Sequence, residues 1–73
     1  MTTNTSPILT FLEQHPEYNV TTLAITCGIG RTTLSRIAHG RQKPLFDTGD
    51  KITNVTGIDY RALLDFYNAN QEG

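Results

Sequence analysis

Residues 20–39 read VTTLAITCGIGRTTLSRIAH, and this stretch decides the fold. Val20, Leu23, Ala24 and Cys27 recur at the spacing of one helix face, with Thr21, Thr22 and Ile25 turned outward. Asn19 stands where an N-cap belongs. Two β-branched threonines are mediocre helix formers, so this helix draws its stability from packing. Gly28-Ile29-Gly30 then breaks the pattern. Gly28 suits a left-handed C-cap, where a side chain would crowd the backbone. Ile29 is expected to plug into the core as the chain reverses. A third helix follows from about Arg31 to His39 and stops at Gly40.

Working outward, Ser6-Pro7 reads as an N-cap followed by proline in the first turn. Ile8, Phe11 and Leu12 give that first helix an apolar face, and His15-Pro16 ends it. Beyond Pro44, either Asp47 or Thr48 is expected to cap a fourth helix, with Ile52 and Val55 inward and Gly57 at its close. Asp59 caps a fifth, with Tyr60, Leu63, Leu64 and Tyr67 toward the core. Ala62, Phe66 and Ala69 lie on roughly the opposite side, and a helix apolar on two sides wants two neighbours. A homodimer through Ala62, Phe66 and Tyr67 is therefore expected. No period-two alternation of any length occurs. The expected fold is all-α, five short helices in one domain over residues 6–68, with flexible ends at 1–5 and 69–73.

The charge is unevenly placed. Residues 31–43 carry +4, residues 1–30 carry −2 and residues 44–73 carry −3, which sum to the net −1. At about 100° per residue, Arg31, Thr32, Ser35, Arg36 and His39 share the outer face of the third helix. That face has two guanidinium groups, two hydroxyls, an imidazole and no carboxylate. Screening limits electrostatic reach to about 8–10 Å at ordinary salt, so a local basic patch binds phosphate despite an acidic far side. A helix face of this kind suits a major groove, because it offers donors to guanine edges and hydroxyls to bases or phosphates.

Other classes find little support. Cys27 is the single cysteine, so no disulfide forms within one copy. It falls on an apolar face rather than in a basic niche that would activate a thiolate. His15, His39 and Cys27 lack zinc-ligand spacing. Gly28-Ile29-Gly30 has neither the lysine nor the preceding strand of a phosphate loop. Asp47 and Asp50 are better read as capping residues than as an acid–base pair. No apolar run approaches the ~18 residues that would span a membrane, and no signal peptide opens the chain. The expectation is a cytoplasmic protein, without catalysis, cofactor, metal or small-molecule ligand. The Asn-x-Ser/Thr triplets at Asn4, Asn19 and Asn54 then carry no meaning for glycans.

Residues 20–39 resemble the helix-turn-helix of Cro/CI-type phage repressors. The matching positions are Leu23 and Ala24 in the first helix, Gly28 and Ile29 in the turn, and Leu34 and Ile37 in the second helix. Ala24 is small where two helices cross closely, while Ile29, Leu34 and Ile37 hold the second helix to the core. The likeness continues through Ser35-Arg36-Ile37, His39-Gly40-Arg41, Pro44 and Val55-Thr56-Gly57-Ile58, covering about residues 6–65. It implies a lambda-repressor-like domain that binds palindromic double-stranded DNA operators as a dimer, most like a Cro-type repressor. Antitoxins and restriction-modification controllers share the fold, and a protein-interaction module without DNA binding is the alternative of another class.

The sequence also departs from that family. Val20 stands where such repressors often carry a glutamine, and Gly30 replaces the usual polar residue of the turn. Base reading is therefore expected from Arg31, Thr32, Ser35 and Arg36, with either arginine alternatively on a phosphate. Phosphate contacts are expected from Asn19, Thr21 and Thr22 at a helix N-terminus, and from Arg41, Gln42 and Lys43 in the following loop. His39 is a weaker candidate for a phosphate.

Overall fold

The computed structural model describes residues 6–71. They form α1 (Pro7–Gln14), α2 (Val20–Cys27), α3 (Arg31–Ala38), α4 (Phe46–Thr56) and α5 (Tyr60–Ala69), with no strand among the described residues. The expected all-α architecture of five short helices is what the chain adopts.

Most helix boundaries follow from capping chemistry. Ser6 Oγ accepts the Leu9 N–H at 3.3 Å and Pro7 opens α1, where its missing N–H costs nothing. Asn19 and Thr22 form a capping box: Asn19 Oδ1 accepts the Thr22 N–H and Thr22 Oγ1 accepts the Asn19 N–H, each at 2.9 Å. The Asp59 carboxylate accepts the Arg61 N–H at 3.3 Å. Gly28 closes α2 at φ 77°, its N–H donating to the Ile25 carbonyl at 3.1 Å while the Ile29 N–H donates to Ala24 at 3.0 Å. That pair of bonds is a Schellman ending, and it requires the left-handed residue that glycine supplies.

α4 departs from expectation. Its N-cap is Leu45, which offers no side-chain oxygen, and the helix begins at Phe46 rather than after Asp47 or Thr48. Asp47 instead sits in the first turn, where its charge complements the helix dipole. Gly49 is a buried residue inside the helix. A Cβ built there would overlap the Tyr60 ring, so packing of α5 on α4 overrides the poor helix propensity of glycine.

The core is formed by Ile8 of α1, Leu23, Ala24 and Cys27 of α2, Leu34, Ile37 and Ala38 of α3, Ile52 of α4 and Leu63 of α5. Val20, Ile29 and Val55 pack against it half-buried. α2 packs on both α3 and α4, α4 on α5, and α1 on α3 and α5. The ordered chain passes the expected limit at residue 68: α5 runs to Ala69, and the Gln71 amide donates to the Gly40 carbonyl at 3.1 Å. The expected loose end at 1–5, and residues 72–73 of the one expected at 69–73, lie outside the described residues.

Candidate nucleic-acid interface

α3 is fastened from behind and along its far end. Leu34, Ile37 and Ala38 are buried on its inner face. At its C-terminus the Ser6 hydroxyl donates to the Ala38 carbonyl at 2.6 Å. Gly40, at φ 72°, continues a second Schellman ending. There the Gly40 N–H donates to Ile37 at 3.1 Å, and the Arg41 N–H to Arg36 at 2.8 Å. The four final carbonyls of α3 are thus engaged, since Ser35 O accepts from the His39 amide at 3.1 Å and Ala38 O from Ser6. A short helix so held presents its outer face as a rigid surface.

That outer face carries the expected side chains. Arg31, Thr32, Arg36 and His39 are exposed, and Ser35 is half-buried between turns. Arg41 and Lys43 are exposed in the loop, with Gln42 half-buried. Ser35, Arg36, His39 and Arg41 line one open depression of about 250 Å³. Among the described residues the one contact of this kind is His15 Nδ1–Glu17 Oε2 at 3.5 Å, an ion pair only with a protonated imidazole, so none of the arginines nor Lys43 has a carboxylate partner there. No Asp or Glu occurs between Glu17 and Asp47. Arg31, Arg36, Arg41 and Lys43 therefore stand unpaired among the described residues.

The three candidates at the α2 N-terminus divide. The Asn19 and Thr22 side chains are occupied by the capping box, and Thr22 Oγ1 also faces Asn19 O at 3.3 Å. Thr21 is exposed with its hydroxyl unpaired among the described residues. The Val20 and Thr21 N–H groups precede the first intrahelical bond, from Leu23 to Asn19 at 2.9 Å, and carry no partner among the described residues. They and the Thr21 hydroxyl are the donors this terminus can offer an anion.

The candidate dimer residues Ala62, Phe66 and Tyr67 are each half-buried within one copy. The large apolar side chains most open to solvent are elsewhere: Ile25 at 72%, Leu45 at 64% and Phe46 at 67%. The helical pattern places Ile25 outward, whereas Leu45-Phe46 precede the cap expected at Asp47 or Thr48. The signal was present in two consecutive apolar residues directly after Pro44, too few to mark a helix face.

Cys27 is buried, and burial pushes its thiol above the ordinary range. No cluster of three His, Cys, Asp or Glu side chains among the described residues has a metal-binding arrangement. No helix there is long and apolar enough to cross a membrane. No protein family, curated protein or solved structure matches this chain.

Proposed function

We propose that this protein is a sequence-specific double-stranded DNA-binding regulator that places α3 in the major groove. The observation carrying the reading is the exposed face of α3, where Arg31 and Arg36 meet no carboxylate among the described residues. An α-helix is about 10–12 Å across and the major groove about 12 Å wide, so the face fits the furrow. The buried inner face and tethered C-terminus hold α3 rigidly, which lets a few side chains meet base edges in one register. The three-residue turn Gly28–Gly30 joining α2 to α3 supports a helix-turn-helix reading.

In this reading Arg31 and Thr32 lead at the helix N-terminus, with Ser35 and Arg36 one turn further on. Arg41, Gln42 and Lys43 position the loop against phosphates, and the free N–H groups of Val20 and Thr21 meet the backbone from α2. The regulator is of the Cro repressor type, cytoplasmic in a bacterial host. It acts as a homodimer on a palindrome with half-sites about 34 Å apart. Selection of binding sites from a random duplex pool tests the whole proposal. A palindrome containing guanines in each half-site is the expected outcome; a pool that stays random removes sequence-specific recognition.

A further inference from the structure

We propose that Ser35, Arg36 and Arg41, walled by His39, form a clamp for a single phosphate group. Arg36 then holds the DNA backbone and leaves base reading to the α3 N-terminus. The inference rests on the DNA-binding reading for its biological ligand, although the clamp itself is a property of these side chains.

The geometry comes from the end of α3. The Schellman ending at Gly40 folds the chain back so that the Arg41 N–H meets the Arg36 carbonyl at 2.8 Å. Two guanidinium-bearing residues five apart in sequence thereby line one depression with Ser35 and His39. Its volume, about 250 Å³ and open to solvent, admits a tetrahedral anion.

Two obstacles to an anion at a helix C-terminus are reduced among the described residues. The first is the negative end of the helix dipole, which comes from unsatisfied carbonyls. Here each of the last four accepts a hydrogen bond: Ser35 O from His39, Arg36 O from Arg41 and Ile37 O from Gly40, and Ala38 O from Ser6. The second is a neighbouring carboxylate, and no ion pair engages Arg36 or Arg41 among the described residues.

The hydroxyl of Ser35 completes the donor set. Helical Thr26 and Thr56 spend their hydroxyls on the carbonyl one turn back, at 2.9 Å and 2.8 Å. Ser35 makes no such bond among the described residues, so its O–H is free for a ligand. His39 Nδ1 lies 2.9 Å from Ser35 O. A carbonyl only accepts, so Nδ1 donates, and in the neutral ring Nε2 carries no proton. A phosphodiester oxygen accepts hydrogen bonds, so His39 joins the donors only as imidazolium.

Position along the helix separates the two arginines. Recognition helices contact base edges chiefly through their N-terminal residues. Arg36 lies about 7.5 Å along the axis from Arg31, toward the loop that carries Arg41 and Lys43.

Titration of the full-length protein with inorganic phosphate, against chloride at matched ionic strength, tests the clamp without DNA. Saturable shifts of the arginine Nε–Hε NMR signals of Arg36 and Arg41, with Arg31 unmoved and the response lost in Arg36→Gln, are expected. Shifts that merely follow ionic strength overturn it. With duplex DNA, Arg36→Ala should weaken selected and random sequences by one common factor and lower the salt slope by about one unit. A changed base preference in that variant overturns the clamp while leaving DNA recognition standing. Conversely, phosphate saturation in a protein that enriches no site leaves the clamp and removes the regulator.

Discussion

The Tyr60 hydroxyl donates to the Pro44 carbonyl at 2.8 Å, and its ring crosses Gly49 to get there. The first residue of α5 thereby pins the segment that follows the basic loop Arg41–Lys43. The Phe46 ring leans on Tyr60 from the outside, with centroids 5.5 Å apart in an edge-to-face pair. The loop that carries half of the basic stretch is thus held by buried Pro44 and by the Tyr60 that bonds its carbonyl.

Gly49→Ala should be destabilising even though alanine is the better helix former. The propensity gain is about 1 kcal/mol. Against it stand overpacking of about 1–3 kcal/mol and the exposed or strained Tyr60–Pro44 hydrogen bond, about 1 kcal/mol. A net loss of about 1–3 kcal/mol is expected from the urea midpoint, given that both penalties share one site. A variant more stable than the parent would mean that Tyr60 does not rest on Gly49.

Ser6→Ala removes two functions of one buried hydroxyl. The cap of α1 is worth about 1 kcal/mol. The Ala38 carbonyl, left without its donor, adds about 1–3 kcal/mol. The expected loss of about 2–4 kcal/mol lowers Tm by roughly 4–8 °C per kcal/mol in a domain this small. Thermal unfolding by circular dichroism reads this directly, and an unchanged Tm would disprove the bridge between α1 and α3.

Much of this fold was legible in the sequence because capping residues and apolar spacing agree. Asn19, Gly28, Gly57 and Asp59 each mark the boundary the structure shows. What escaped depends on contacts between distant residues. The place of Gly49 inside α4 is explained only by the Tyr60 ring that lies over it. Ser6 reads as a local cap, but its second bond reaches 32 residues away. Likewise the basic face of α3 was evident from spacing alone, whereas the convergence of Arg36 with Arg41 depends on the fold-back at Gly40.

Cys27 gives a pH signature. Its buried thiol has a raised pKa, so the unfolded chain releases its proton first as pH rises. The unfolded state then binds fewer protons than the folded state, and stability falls with pH above about 8.5, an unperturbed thiol's value. Cys27→Ala should lack this alkaline component. In the folded protein at neutral pH, alkylation by iodoacetamide should be slow and become fast in denaturant; rapid labelling of the native chain would place the thiol at the surface.

The proposed homodimer predicts a mass change on disturbing α5. Phe66→Asp should convert dimers to monomers by light scattering and weaken operator binding, with the helical circular dichroism signal retained. Because Phe66 is half-buried, Phe46→Asp is the informative companion. Loss of the dimer in Phe46→Asp alone would move the interface to the start of α4.

Arg31 and Lys43 should separate base reading from backbone attraction. Arg31 is exposed at the first position of α3, while Lys43 is exposed in the loop beyond it. A bidentate arginine–guanine contact is worth about 1–3 kcal/mol of discrimination, all of which vanishes with the guanidinium. Arg31→Ala should therefore flatten preference at one operator position, leaving affinity for random duplex reduced only by the loss of one charge. Lys43→Ala should weaken every sequence alike and reduce the slope of log K against log salt by about one unit. Quantitative binding to operator variants at several salt concentrations measures both effects. Equal loss on all sequences in both variants would leave α3 a generic polyanion binder, because a helix that reads bases cannot lose its leading arginine without losing selectivity.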